Sequence, residues 1–487
     1  MARFPVLGRL YYREYVAVIF GFILITFETL LRSIIFFLPS PVIRWFHDQT
    51  RRLFKAIVHV GSKPPVVSGE EAHRAHLIRV AVEFGDLCSV YGYDWEEHIV
   101  QTKDGYLLSI HRIPRARSER TDCEARRRKP VVYLHHGLLM CSEIFMCLTS
   151  AERSLPLVLA EAGYDVWLGN NRGNKYSRKH TSLNPHSQAF WNFGIDEYAM
   201  HDIPDSIAYI LEATGEKSLS YVGFSQGTAQ AFAALSINPS LNKKVDVFVA
   251  LAPAMSPPGL SAPLVDGLMK ASPALMYLFF GRRSILHSTT TWQSILYPPI
   301  FTSIISRSLT FLFAWTSDQI TPIQKIAAYA HLYSGTSTKA VVHWFQIMRN
   351  AEFTMYDDDV KSGLSPLRAG ERGKARFYYR PARFPTKNIK TPTVLLYGTS
   401  DSLVDIDVMR RQLPEHAVSI PLDGYEHLDI LWGKNVHEDV IPEVMVALRS
   451  NARIPEPPMK VRSQSQKMWD NENGDGLVVD NGEVSDT

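Results

Sequence analysis

A serine flanked by two glycines is the position in this chain where residue types most clearly indicate chemistry. Residues 218–227 read Ser-Leu-Ser-Tyr-Val-Gly-Phe-Ser-Gln-Gly, which predicts a short strand, a sharp turn with Ser225 at its tip, and then a helix. Such a strained turn leaves room only for very small side chains two positions away, and Gly223 and Gly227 meet that need. The N-terminus of the helix would direct free N–H groups and its positive dipole end at Ser225. We therefore interpret Ser225 as a catalytic nucleophile.

A nucleophilic serine needs a base and an acid that orients the base, and both candidates follow predicted strands later in the chain. A buried strand that begins near Thr391 ends in Gly-Thr-Ser-Asp, and we predict Asp401 as the acid, with Asp405 as the less favoured alternative. A short predicted strand precedes Gly-Tyr-Glu-His-Leu-Asp, whose histidine, His427, is the predicted base. Serine, acid and histidine follow one another in an order that hydrolases use.

The loop after an earlier predicted strand could stabilise the negative charge on an attacked carbonyl oxygen. The apolar strand Pro130–Leu134 runs directly into His-His-Gly-Leu-Leu. We predict that the backbone N–H groups of Leu138 and Gln226 form an oxyanion hole, with His136 in the same loop. Two preorganised donors of this kind usually provide a large share of acyl-transfer catalysis. The alternative is that the glycine here only permits a turn.

Strands and helices alternate on both sides of the serine and would position these residues. We predict a β-hairpin over Asp94–Ile113 and further buried strands around the serine. The alternation stops between 255 and 385, where Phe, Leu, Ile, Ser and Pro are frequent. We interpret this stretch as an insertion that caps a lipid-sized pocket, with an ordinary helical core as the alternative. Arg172 and Asp196 could form a structural ion pair, and no chemistry is assigned to them.

The N-terminal region contains an apolar segment. Tyr15–Phe27 carries no charge, Glu28 and Arg32 interrupt the run, and Ser33–Leu38 continues it. The uncharged part is shorter than the roughly 20 residues of a membrane span, but the whole stretch is long enough. Three interpretations remain: a transmembrane anchor, a hairpin or in-plane helix embedded in one leaflet or a lipid monolayer, and a buried core helix. We favour embedding in one leaflet or monolayer.

The composition limits which binding partners and which cellular compartment can be expected for this chain. The formal net charge of +3 gives no reason to expect nucleic-acid binding, and the basic stretch 115–129 is interpreted as a solvated loop or a contact with an anionic membrane. The four cysteines form no C-x-x-C pair, so no metal site is expected, and no cofactor is expected either. Without an N-x-[ST] acceptor, the chain is expected to face a reducing compartment. An acidic, disordered tail is predicted from 451 to 487.

Six motifs together resemble the acid (gastric and lysosomal) lipase family over roughly 90–446. They are His136-Gly-Leu-Leu139, Gly169-Asn-Asn-Arg-Gly173, Phe190-Trp-Asn-Phe193, Gly223-Phe-Ser-Gln-Gly227, His343-Trp-Phe-Gln346 and His427-Leu-Asp429. The resemblance implies an α/β-hydrolase fold, in which a helical cap is inserted into a core with a mostly parallel sheet. It also implies Ser225, Asp401 and His427 as nucleophile, acid and base, and Leu138 and Gln226 as oxyanion donors.

The N-terminus departs from the secreted members of that family, which have a cleavable signal, glycosylation sites and a cap disulfide. This chain has no cysteine after Cys147, and Phe4-Pro-Val-Leu-Gly-Arg-Leu10 resembles the fungal membrane-anchored steryl ester hydrolases. The resemblance implies a location at lipid droplets or the endoplasmic reticulum. The expected domains are a membrane anchor, a core in two parts, a cap between those parts and a tail, at 1–60, 85–254 with 386–450, 255–385 and 451–487.

The expected function is hydrolysis of steryl esters at a lipid surface through an acyl-enzyme intermediate. Two alternatives remain open from the sequence. One is a triacylglycerol lipase that uses the same three residues. The other is a lipid-binding or tethering protein without catalytic activity.

Overall fold

One mixed sheet organises the described part of the chain. A computed structural model describes residues 68–119, 129–261, 273–285, 296–358 and 381–451, together with scattered positions between 15 and 52. The main strands are β1 Glu96–Gln101, β2 Tyr106–Ile113, β3 Val131–His135, β4 Asp165–Leu168, β5 Leu219–Phe224, β6 Val245–Leu251, β7 Thr393–Gly398 and β8 Val418–Leu422. Their order is β1-β2-β4-β3-β5-β6-β7-β8.

Most neighbouring strands in this sheet are parallel. The pairs from β4 through β3, β5, β6 and β7 to β8 are parallel, whereas β2 pairs with β1 and β4 in the antiparallel direction. The two-residue strand Lys179–His180 also pairs with β2, and a separate short pair joins Ser284–Ile285 to Thr336–Ser337. The predicted α/β class with a mostly parallel sheet is confirmed.

Helices precede the first strand, connect most of the later strands and follow the last one. The α-helices span Gly69–Val80, Phe84–Tyr91, Leu155–Glu161, Ile195–Glu197, Ile203–Thr214, Gln226–Ile237, Pro273–Phe280, Pro298–Phe313, Pro322–Ala328, Thr338–Asn350, Ile406–Gln412, Asp429–Trp432, Val436–Asp439 and Ile441–Asn451. A π-helical turn covers Tyr198–Asp202, and 3₁₀ turns cover Ser142–Phe145, Ala151–Arg153, Ala189–Trp191, Leu241–Lys243 and Thr386–Asn388.

The central strands β3, β5 and β6 are buried along their whole length. Successive side chains point to opposite faces of a sheet, so each strand contributes to two layers of core. Leu134, Val222 and Val249 lie in one layer, and the neighbouring Tyr133 and Tyr221 lie in the other. Such strands are mostly apolar, with few polar residues, because both of their faces are buried. Each fully buried large apolar side chain contributes about 1.5–3 kcal/mol.

The predicted hairpin over Asp94–Ile113 is confirmed. Strands β1 and β2 pair in the antiparallel direction with Glu96 opposite Arg112. Thr102 N–H donates to the carbonyl oxygen of Tyr106 at 2.8 Å, and Gly105 supplies the turn with a φ of 97°. Glycine adopts this positive φ without strain because it has no Cβ.

The chain between β6 and β7 adds helices but, in its described residues, no strand to the main sheet. This agrees with the predicted loss of strand–helix alternation between 255 and 385. The segment contacts the region of Ser225 through several hydrogen bonds, two of which join it to Gln226 and Leu139. Trp344 Nε1–H donates to Gln226 Oε1 at 2.7 Å, and Ser334 N–H donates to the carbonyl oxygen of Leu139. Its role as a cap, and the boundaries of the predicted domains, stay predictions.

The predicted anchor at 1–60 falls mostly outside the described residues. Its described positions between 15 and 30 are helical, and Ile19, Phe22 and Phe27 among them are exposed. Within the described part of the chain, no helix is both long enough and apolar enough to cross a membrane. Apart from Asn451, the predicted tail at 451–487 lies outside the described residues.

The prediction that Arg172 pairs with Asp196 is wrong. Arg172 is buried, with its guanidinium bonded to Asp202 at 2.6 Å and to Asp104, and it stacks 3.9 Å above the centre of the Tyr106 ring. Asp196 lies at the start of another helix, where its carboxylate accepts the N–H of Tyr356 at 2.9 Å. The backbone donor therefore takes the acceptor that the sequence had assigned to the arginine.

Replacing Arg172 with methionine is expected to destabilise the fold strongly. The substitution R172M leaves Asp202 buried without its cation, so the free energy of unfolding should fall by about 3–5 kcal/mol. Urea denaturation followed by tryptophan fluorescence measures this loss. The matched control is R383M, because the Arg383 side chain is 64% exposed in its pair with Glu352 and should contribute about 1 kcal/mol or less. Equal losses in the two variants would contradict the prediction.

Candidate active site

Ser225 lies at the junction between strand β5 and the helix Gln226–Ile237, in a strained backbone conformation. Its φ is 54° and its ψ is −119°, a region that costs a non-glycine residue about 1–3 kcal/mol. Neighbouring bonds hold it there. Ser225 N–H donates to Leu251 O at 3.0 Å, and the hydroxyl of Thr228 donates to Ser225 O at 2.6 Å. The turn therefore presents the Ser225 hydroxyl at the carboxyl edge of the sheet.

The two glycines beside Ser225 are required by close backbone contacts. A Cβ on Gly223 would lie 2.8 Å from the carbonyl carbon of Gly227. A Cβ on Gly227 would lie 2.4 Å from the carbonyl oxygen of His135 and 2.8 Å from that of His136. The helix can therefore pack against the end of strand β3 only when these positions carry no side chain. This is the physical reason for the G-x-S-x-G spacing in this chain.

Ser225, His427 and Asp401 form a continuous chain of hydrogen bonds. His427 Nε2 lies 2.8 Å from Ser225 Oγ, and its Nδ1 lies 2.6 Å from Asp401 Oδ2. Asp401 and His427 are 5% and 3% exposed, so water is largely excluded from the Nδ1 contact. Because a carboxylate only accepts hydrogen bonds, Nδ1 carries the proton and Nε2 presents a lone pair to the serine. This arrangement can take a proton from Ser225.

The alternative acid, Asp405, has a different position and role. Its Oδ1 accepts the N–H of Val408 at 3.0 Å, so it caps the helix Ile406–Gln412. An N-terminal cap of this type satisfies a backbone donor that has no partner within the helix. The structure therefore brings Asp401, and not Asp405, to the imidazole of His427.

The two predicted oxyanion donors belong to two different segments that meet at the serine. Gln226 is the first residue of its helix, so its N–H has no acceptor within the helix. Leu138 follows Gly137, and a Cβ placed on Gly137 would lie 3.0 Å from Ser225 Cβ. The loop after β3 thus lies directly against the serine side chain.

Trp315 is a neighbour of the site that the sequence did not indicate. Its indole ring stacks on the imidazole of His427, with the ring centres 5.1 Å apart and the planes 9° from parallel. Trp315 Nε1–H donates to Ser402 Oγ at 3.1 Å, next to Asp401. No periodic pattern marks Trp315, because it lies in an irregular turn after the helix Pro298–Phe313. Only the three-dimensional packing brings it to the histidine.

The carboxylate of Glu426 joins the same turn to the histidine loop. It accepts the N–H of Thr316 at 2.9 Å and the N–H of Ser317 at 2.7 Å. Since Glu426 immediately precedes His427, these bonds restrain the loop that carries the imidazole.

Asp429 is a buried carboxyl group in the histidine loop. Its Oδ2 accepts the N–H of Glu426 at 2.8 Å, whereas its Oδ1 is buried and has no partner among the described residues. Burial raises the pKa of Asp429 to about 7; the hydrogen bond from the Glu426 N–H and the charge of Lys325 oppose this shift, whereas the charges of Glu426 and Asp318 add to it. Asp429 belongs to the His427-Leu-Asp429 motif, but no pattern in the sequence indicated its burial.

In the described part of the chain, no three His, Cys, Asp or Glu side chains are grouped so that they could hold a metal ion. The buried cysteines Cys88, Cys141 and Cys147 are free thiols. Burial raises the pKa of each thiol, which disfavours the thiolate form that binds metals.

Comparison with known proteins gives matches over most of the chain. Residues 130–434 match the family described as the alpha/beta hydrolase fold, and residues 84–149 match a partial alpha/beta-hydrolase lipase region. A probable lipase of Schizosaccharomyces pombe is 45% identical over 91% of this chain and 96% of its own length. Human lipase member K is 32% identical over 75% of this chain and 90% of its own. Human lysosomal acid lipase/cholesteryl ester hydrolase is 33% identical over 72% of this chain and 86% of its own length.

The raised pKa of Asp429 leads to a pH-dependent stability. The folded chain keeps a proton that an unfolded aspartic acid releases near pH 4, so this contribution to stability is lost as the pH rises from about 4 to about 7. The substitution D429N keeps a neutral group at every pH. We therefore expect D429N to unfold at a higher temperature than the wild type at pH 8, with a smaller difference at pH 5.

Thermal unfolding at the two pH values measures this effect. The matched control is D407N, because the Asp407 side chain is 76% exposed and should leave the pH dependence unchanged. A wild type and a D429N variant whose unfolding temperatures shift in parallel between pH 5 and pH 8 would contradict the expectation.

Proposed function

Because this chain belongs to the α/β-hydrolase family, among the lipases that include lysosomal acid lipase, we propose that it hydrolyses steryl esters. The chain is a serine ester hydrolase, and the products of the proposed reaction are a free sterol and a fatty acid. The observation that carries the proposal is the hydrogen-bonded chain from Ser225 through His427 to Asp401. These three side chains are the proposed nucleophile, base and acid.

The proposed reaction proceeds in two acyl-transfer steps. His427 Nε2 takes the hydroxyl proton of Ser225 as Oγ attacks the ester carbonyl carbon, and Asp401 stabilises the imidazolium that forms. The N–H groups of Leu138 and Gln226 bind the oxyanion of the tetrahedral intermediate. The imidazolium then protonates the leaving sterol oxygen, which leaves a fatty acyl ester on Ser225. A water molecule deprotonated by His427 attacks this ester and releases the fatty acid.

Two observations support a steryl ester as the substrate. The human relative is named as a cholesteryl ester hydrolase as well as a lipase. The segment between β6 and β7 is rich in apolar residues and contacts the site through Trp315 and Trp344, as expected for a cap over a lipid. Triacylglycerol hydrolysis by the same residues is the nearest alternative, and a lipid-binding protein without activity is the other.

A comparison of two substrates tests this proposal. The wild-type protein and S225A are assayed on emulsions of steryl oleate and triolein, with fatty acid release as the measurement. We expect the wild type to hydrolyse steryl oleate and S225A to lose at least about 10⁴-fold in kcat, since the substitution removes the nucleophile. The matched control is S450A, because Ser450 is an exposed helix residue and its loss should leave hydrolysis unchanged.

The other outcomes separate the alternatives. Hydrolysis of triolein alone, abolished in S225A, would retain the chemistry and overturn the substrate. Equal fatty acid release by wild type and S225A would overturn the assigned nucleophile. No release from either emulsion by the wild type would favour the lipid-binding alternative.

We also infer that the N-terminal segment attaches the enzyme to a lipid surface, such as a lipid droplet or the endoplasmic reticulum. At the described helical positions, the exposed fractions of Ile19, Phe22, Phe27 and Leu30 are 60%, 71%, 57% and 59%. In a helix with 3.6 residues per turn, positions 19, 22, 27 and 30 would fall within an arc of about 140°, on one side. Transfer of such side chains into lipid is favourable by about 25 cal/mol per Å² of apolar area. Attachment would bring the active site to an insoluble substrate.

A flotation experiment tests this attachment. The double variant F22D/F27D is expected to reduce co-flotation with triolein droplets coated by phospholipid at least about fivefold, because each carboxylate opposes burial in lipid. Circular dichroism and hydrolysis of a soluble short-chain ester verify that the protein is folded. The matched control is V446D, which charges another exposed apolar position, 58% exposed, on the helix Ile441–Asn451. Unchanged flotation of F22D/F27D would contradict the inference.

A further inference from the structure

His136 is a fully buried side chain beside the site whose two ring nitrogens have different partners. It follows strand β3 and is 1% exposed. Its Nδ1 lies 2.8 Å from the carbonyl oxygen of the next residue, Gly137. Its Nε2 lies 3.1 Å from the backbone nitrogen of Asn171 and 3.3 Å from Asn174 Nδ2. His136 takes no direct part in the acyl-transfer steps proposed above.

These partners fix the tautomer of the imidazole. A backbone N–H can only donate, so the bond from Asn171 requires a lone pair on His136 Nε2. The proton of a neutral imidazole then lies on Nδ1, which donates to the Gly137 carbonyl oxygen. Burial lowers the pKa of His136 to about 4, although the bond to Gly137 acts in the opposite direction. The ring is therefore neutral at pH 7, as the donors around Nε2 require.

The bond to the Gly137 carbonyl also orients the N–H of the next residue. The carbonyl of Gly137 and the N–H of Leu138 belong to one planar trans peptide unit, in which they point in opposite directions. A donor that holds the carbonyl oxygen in place therefore sets the direction of the N–H. From this geometry we propose that His136 is a positioning residue, which aims the Leu138 N–H at the oxyanion.

The loop that holds His136 is itself held by buried polar contacts. Asn174 Nδ2 also donates to Asn170 Oδ1 at 2.9 Å. Asn171 Oδ1 accepts from Gln230 Nε2 at 2.8 Å, on the helix that begins after Ser225. The asparagines at 170 and 171 lie in the Gly-Asn-Asn-Arg-Gly motif, which thus acquires a role. The motif holds the imidazole that orients an oxyanion donor.

Replacing His136 with asparagine or with glutamine distinguishes the roles of its two ring nitrogens. In H136N an amide nitrogen can occupy the place of Nδ1 and still donate to Gly137 O, because both lie two bonds from Cβ. In H136Q the amide reaches only the place of Nε2, so the donor to Gly137 O is lost. The two variants share the same functional group and differ by one methylene.

The experiment measures kcat and KM for p-nitrophenyl butyrate at pH 7.5 with the full-length protein. We expect H136Q to lose about 10²–10³-fold in kcat with KM changed less than about twofold, as for removal of one oxyanion donor. H136N should stay within about threefold of the wild type. A purely structural role for His136 would instead lower the unfolding temperature and kcat of both variants to a similar degree.

Two further measurements keep the test decisive if H136Q folds poorly. Phenylboronic acid forms a tetrahedral anion on a reactive serine, and its inhibition constant should rise at least about tenfold in H136Q but not in H136N. In the wild type, ¹⁵N shifts of the His136 ring should identify a protonated Nδ1 and an unprotonated Nε2 at pH 7. Equal effects of the two substitutions, unchanged kcat in H136Q, or the opposite tautomer would each overturn the proposal.

The inference rests on the proposed serine chemistry, and the soluble ester keeps the two failures apart. If S225A hydrolyses p-nitrophenyl butyrate as fast as the wild type, the serine chemistry itself is wrong. If S225A is inactive while H136Q behaves like the wild type, only the role of His136 is wrong. Neither result depends on whether steryl esters are the natural substrate.

Discussion

The contact between Gly227 and the carbonyl oxygens of His135 and His136 is the constraint on which the rest of the site depends. A Cβ at Gly227 would come within 2.4 Å of His135 O, so the helix after Ser225 lies directly on the end of strand β3. That approach turns the chain sharply enough to hold Ser225 at a φ of 54°. It also brings the loop after β3 beside the serine. One close backbone contact thus forms the strained turn and places the oxyanion loop next to it.

The sheet brings together residues that are far apart in the sequence. Strands β3, β5, β7 and β8 are parallel, so their carboxyl ends lie at the same edge. His136, Ser225, Asp401 and His427 each follow one of these strands. Ser225 and His427, which are 202 residues apart in the sequence, are therefore within hydrogen-bonding distance, because short loops cannot carry these side chains away from the edge.

The sequence allowed prediction where a local pattern has one physical solution. Ser225 could be placed on a tight turn because only glycine fits two residues to either side, and Asp401 and His427 because buried apolar runs precede them. Side-chain contacts that depend on tertiary packing could not be predicted from the sequence. Arg172 binds Asp104 and Asp202 and not Asp196, since competing backbone donors are invisible in a sequence. The stacking of Trp315 on His427 likewise depends on how an irregular turn packs against two loops.

The attachment of the turn after Pro298–Phe313 limits how freely the segment between β6 and β7 can be exchanged between relatives. Residues between β6 and β7 would ordinarily be an exchangeable module, because none of those described adds a strand to the main sheet. Here, however, Trp315 contacts the imidazole of His427 and binds Ser402, and Glu426 holds the adjoining turn. A segment transplanted from a relative would have to bring matching partners at both loops. A recombination event in this fold therefore has to exchange the segment together with the loops that it contacts.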